Sequence, residues 1–155
     1  MKHDAGMTHQ HYKRLAITTS INAIIMYLVM YTMIDGTADF YNNINQVYMV
    51  LMMAAPMVII MVFDMKSMYT DKRLNLLVHV AAVTLLVFGF VGMRSQLAVG
   101  DTQFLRAMIP HHSGAILMCR EANLSDAEIK TLCGQIMRSQ QEEIDQMKAI
   151  LDRKP

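Results

Sequence analysis

Charge-free apolar runs, rather than amphipathic periods, organise the first two-thirds of the chain. Residues 15–34 ("LAITTSINAIIMYLVMYTMI"), 47–63 ("VYMVLMMAAPMVIIMVF") and 74–93 ("LNLLVHVAAVTLLVFGFVGM") contain no Asp, Glu, Lys or Arg. Each approaches the roughly 20 residues a helix needs to cross a bilayer. A helix lying on a soluble core keeps a polar face, and these runs offer only scattered Thr, Ser, Asn and one His. Three transmembrane helices are expected. The first run is too long for the apolar part of a signal peptide and no small-residue cleavage site follows it, so it should remain as an anchor.

The pattern changes at residue 95. From there to 155 the chain is charged and amphipathic, with two helical periods. Asp101 is placed to cap the first, which runs to about Ala122. "SDAE" at 125–128 reads as a capping box in which Ser125 accepts from the turn and Glu128 reaches back. The second helix runs to about Leu151. A turn of two or three residues makes the two an antiparallel hairpin. Phe104, Met108, His111, Ala115, Met118 and Ala122 recur at 4-3-4-3-4 and define one seam, with Leu105, Ile109, His112, Ile116 and Cys119 beside it. Ile129, Cys133, Ile136, Gln140, Glu143, Met147 and Ile150 define the facing one. The expected fold is thus all-α, with a tail (1–14), a transmembrane region (15–94) and an extracytoplasmic hairpin (95–155). Two helices alone bury too little to be stable, so copies of the chain are expected to associate into a bundle.

Charge then sets orientation. The tail carries Lys2, Lys13 and Arg14, and the second loop carries Lys66, Lys72 and Arg73, whereas "DGTADFYNNINQ" between the first two runs has no cation. By the positive-inside rule the tail is cytoplasmic. The first loop and the hairpin then lie outside, which in a bacterial inner-membrane protein means the periplasm. A formal net charge of +1 implies no field for nucleic acid. Cys119 and Cys133 fall within a turn of each other in the hairpin, and in an oxidising compartment they are expected to form a disulfide; reduced, buried cysteines are the alternative.

The hairpin holds the candidate chemistry. His111 and His112 on one helix should come level with residues 138–143 of the other, so imidazoles, thioethers and the polar seam residues Gln140 and Glu143 share one region. Pro110 deletes one backbone hydrogen bond just before the histidines and kinks the axis there. His, Met and carboxylate together suit a transition metal, and thioethers favour Cu(I). The competing reading is a polar network that only sets helix register and oligomer partner.

"MIPHHSGAILM" (108–118) followed by "QQEEIDQM" (140–147) resembles the DUF305 family, in which a Met-x-x-His-His helix pairs with a Gln-x-x-Glu-Ile-x-x-Met helix. The resemblance covers about 101–151. It implies a ferritin-like helical domain, and some members of the family bind copper in the periplasm. By that resemblance Met108, His111, His112, Met118, Gln140, Glu143 and Met147 are site candidates, and copper-handling proteins are expected partners. The three membrane helices set this chain apart from the secreted carriers of the family.

Methionine is abundant, at 17 residues, and its placement adds a second candidate. Met49, Met53, Met57 and Met61 in the second apolar run, and Met65 just after it, lie at four-residue steps, a stripe that either conducts a soft ion or simply packs. His79 is expected to be neutral and bonded to Asn22 or Thr18, and is a minor candidate as an intramembrane ionisable group. The tail resembles a loose metal-binding segment through Met1, His3, Met7, His9 and His11. The functional expectation is copper binding for tolerance or trafficking. The alternative is a membrane-anchored interaction module that binds no metal. An enzyme is not expected: facing Glu-x-x-His pairs, which a di-metal ferritin-like site needs, are missing, as are nucleophile–base and phosphate-loop motifs.

Overall fold

A computed structural model describes residues 2–154, with side chains from His9 onward. The side chains of His3 and Met7, and all of Met1, lie outside the described residues. Five α-helices follow one another: α1 (Lys2–Val29), α2 (Ile44–Asp64), α3 (Lys72–Ser95), α4 (Asp101–Glu121) and α5 (Ala127–Leu151), with no strand among the described residues. Two 3₁₀ turns, Met30–Met33 and Thr37–Asp39, occupy the connection after α1. The stretch 2–14 is therefore helical and continuous with the first apolar run.

Three segments are long and apolar enough to cross a membrane: His9–Met33, Ile44–Asp64 and Lys72–Ser95. They contain all three charge-free runs but for Ile34, and most of their apolar side chains, such as Ile24, Ile60 and Leu76, face outward. The chain divides into two compact units, residues 1–29 with 47–97 and residues 30–46 with 98–155.

In the first unit Leu15, Val62 and Tyr69 are buried together, with Tyr12 and Val78 against them. Asp71 caps α3 by accepting from the backbone N–H of Arg73 and Leu74. Tyr48 lies across Gly92, and a Cβ built on that glycine would sit 2.7 Å from its ring. Such small-residue contacts let membrane helices approach closely. Gly92→Leu should therefore overpack α2 against α3 and lower stability by about 1–3 kcal/mol. Thermal unfolding of the full chain in detergent micelles reads this directly; an unchanged midpoint would show that the two helices do not depend on the contact.

The second unit pairs α4 and α5 antiparallel. His112 meets Glu143, Cys119 meets Cys133 and Asp101 meets Lys154, so partners recede along α5 as they advance along α4. The core is Leu105, Ile109, Ile116, Ile144 and Met147, with Ile109 and Ile144 fully enclosed. The seam of α4 thus lies one residue beyond the expected one. Leu105, Ile109, His112 and Ile116 are buried, while Phe104 and Met118 are about half exposed, at 50% and 55%. Both stripes carry the same 4-3 spacing, and the β-branched and leucine side chains enclose more apolar area than the stripe that carries His111 and Ala115.

The helix ends also differ from expectation. Gly100 precedes α4 and makes no side-chain cap, and Asp101 instead receives the Lys154 ammonium at 2.6 Å. That hydrogen bond, and then the charge of Lys154, holds the Asp101 carboxyl below its usual range. Asp126, not Ser125, caps α5, accepting from the N–H groups of Glu128 and Ile129. The turn between the helices consequently spans residues 122–126.

Candidate metal centre

Pro110 stands inside α4, which continues through it, and a buried surface forms around it. Adjacent helical positions differ by about 100°, so His111 and His112 cannot face the same way. His112 turns toward α5 and is buried at 7%, whereas His111 is exposed. Their ring centroids are 6.0 Å apart and nearly edge-to-face.

The His112 ring is held at both nitrogens. Nδ1 donates to the carbonyl oxygen of Met108 at 2.9 Å, one helical turn back. A carbonyl can only accept, which fixes that tautomer. Nε2 then points at Glu143 Oε2, 2.6 Å away. The two side chains are joined there by a short hydrogen bond between imidazole and carboxyl. Glu143 remains about half exposed, so its side chain can swing away while the imidazole stays in place. A donated Nδ1–H with Nε2 directed outward is the arrangement that orients metal-ligating histidines.

The other predicted residues divide into two groups. Met147 is buried in the core of the pair and Met108 packs against that core, while Gln140 is half-buried one turn before Glu143. Met108 lies one turn before His112, and Gln140 and Met147 lie one turn to either side of Glu143. Met118, exposed, stands seven residues beyond His111, about 10.5 Å along the axis. The structure does not bring it to the same point. Among the described residues no three His, Cys, Asp or Glu side chains converge as a metal-binding group. Cys119 and Cys133 are joined, with Cα atoms 5.3 Å apart.

Sequence reasoning missed a third layer. The 30–46 connection packs against α4 and reaches α5. Asp39, 9% exposed, accepts from Ser113 Oγ and from Lys148 Nζ, each at 2.6 Å. Ser113 Oγ also accepts from the backbone N–H of Asp35 at 2.7 Å, and the Asp35 carboxylate meets Arg120. A Cβ on Gly114 would come within 3.1 Å of the Met33 carbonyl. The signal was the Ser-Gly pair after Pro110, small residues that admit a second backbone.

In the first unit, His79 Nδ1 donates to the Asn75 carbonyl of its own helix at 2.7 Å, not to Asn22 or Thr18. Asn22 Nδ2 instead donates to the Met57 sulfur at 3.1 Å. Met57 and Met61 are half-buried, while Met49 and Met53 are exposed.

These features define an all-helical protein with three candidate membrane spans and a disulfide-linked helix pair that carries a histidine–carboxylate link. The chain belongs to the DUF305 family, a domain of unknown function, whose model matches residues 50–151. The match takes in most of α2 and all of α3 as well as the pair, and so extends beyond the stretch its motifs suggested. An uncharacterized protein of Acanthamoeba polyphaga mimivirus is 34% identical over 122 residues, covering 77% of this chain and 78% of that protein. No solved structure matches the chain.

Proposed function

We propose that the protein is a membrane-anchored copper-binding protein that holds Cu(I) beside α4 and α5. The observation that carries this reading is the His112 imidazole, fixed through Nδ1 with Nε2 aimed at a movable carboxylate. On binding, the metal takes the place of the Glu143 contact at Nε2. Met108 and the neighbouring Met147 supply thioethers for a soft ion, and His111 stands on the adjoining rim. Gln140 and Glu143 hold the imidazole or add an oxygen. In this reading Met118 serves a second copy of the chain, whose α4 covers the exposed Phe104–Met118 stripe.

The same reading places the tail in the cytoplasm and the helix pair in the periplasm of a bacterial inner membrane. Packing of the 30–46 connection on α4 supports a common side for both, as three crossings require. The disulfide suits an oxidising compartment. Partners would be copper-handling proteins, and the role tolerance or trafficking rather than catalysis.

Cu(I) competition titration of the full chain in micelles tests this. His112→Gln should weaken binding by about 100-fold, and wild-type affinity should fall as pH drops because the metal must displace a proton. Equal, weak binding by both chains would end the copper reading. The second reading, a structural pin that sets register and oligomer state, is favoured by the engagement of both ring nitrogens. It expects no metal affinity and a changed oligomer size in Gln140→Ala.

A further inference from the structure

The methionines of α2 have a place in the structure independent of the helix pair. Met53, Met57 and Met61 of α2, with Asp64 at its end and Met65 just beyond, line one groove of about 540 Å³. Residues four apart on a helix lie on one face about 6 Å apart. Each thioether sits on a three-torsion arm, so neighbours in the row can turn their sulfurs onto a common point. The sulfur of Met57 is already oriented by Asn22, which donates to it from α1. Asp64 is the sole charged residue of a helix that is otherwise free of Asp, Glu, Lys and Arg.

We propose that this groove is a second, intramembrane site for a soft monovalent cation, Cu(I) or its chemical analogue Ag(I). Met53, Met57 and Met61 are its ligands, and Asp64 is its electrostatic attractor. Neutral thioethers select soft, low-charge ions over hard ones. In a low-dielectric setting a divalent cation would keep a much larger desolvation cost against ligands that carry no charge. Methionine at each of these steps, in a helix whose remaining apolar positions are mainly Val, Ile, Leu and Ala, supplies sulfur where packing alone needs only volume.

The test is Ag(I) titration of the full chain in detergent micelles, with methyl-labelled methionine followed by NMR and bound metal counted after dialysis. The Met57 methyl resonance, assigned through Met57→Leu, should shift on the first equivalents of Ag(I) in the wild-type protein. A chain with Met53, Met57 and Met61 all changed to Leu keeps side-chain volume and should bind one Ag(I) fewer. His112→Gln should retain that equivalent, which separates this site from the one proposed in the helix pair. An unshifted Met57 methyl at saturating Ag(I) would overturn the proposal, as would wild-type stoichiometry in the triple-leucine chain. Either result would leave the groove to packing and lipid.

Discussion

Replacing Asp39 with alanine should cost the second unit about 3 kcal/mol, near the value for stripping one partner from a buried ion pair. The carboxylate is 9% exposed and satisfies two groups at once, the Ser113 hydroxyl and the Lys148 ammonium. Its removal leaves Ser113, which is fully buried, and Lys148, about a quarter exposed, without that acceptor. A lost hydrogen bond between neutral groups would cost only ~1 kcal/mol, and the charge raises the figure. Lys154 and Asp101 provide an internal contrast. Asp101 is 81% exposed, and water screens a pair so open to solvent, which therefore contributes far less. Hydrogen exchange of α4 and α5 amides in the full chain distinguishes them. Asp39→Ala should raise exchange along both helices, and Asp101→Ala only at the open end. Equal protection in the two variants would mean that Asp39 is not an anchor.

The disulfide should have an effect of the same size by a different route. Cys119 and Cys133 are 14 residues apart, and closing a loop of that length removes unfolded-state entropy worth about 3 kcal/mol. A chain with both cysteines changed to serine should therefore lose the order of 10 °C or more from the unfolding of its α4–α5 pair, if each kcal/mol is worth about 4–8 °C in a unit of this size. Wild-type protein treated with a reductant should reproduce the shift; the serine variant should not respond to it. A serine variant as stable as the parent would show that the core of Leu105, Ile109, Ile116, Ile144 and Met147 fixes the turn without help.

How much of this was legible in the sequence depended on whether a residue's partner was nearby. The membrane spans needed no partner, because absence of charge over one helix length is a property of the segment itself. The level at which α4 and α5 meet was also readable, since a short turn and the two cysteines leave little freedom of register. Which stripe of α4 faces α5 was not. Phe104–Met108–His111 and Leu105–Ile109–His112 share one spacing, and only packing against Ile144 decides between them. His111 and His112 exchanged roles as a result. The anchoring of Asp39 was invisible to periodicity, because its partners lie 74 and 109 residues away. The alternation of helix faces gives no information at that range.

Those separations have a consequence for how the molecule comes into being. Residues 30–46 leave the ribosome well before residues 98–155, and domains generally take shape as their chain emerges. Asp39 must wait through the synthesis of α2, α3 and α4 for an ammonium that arrives only in the last turns of α5. Contacts of such long sequence range are slow to form. The second unit therefore cannot be completed piecemeal: a chain that stops short of Lys148 carries all three apolar helices, yet it leaves residues 30–46 without their principal anchor.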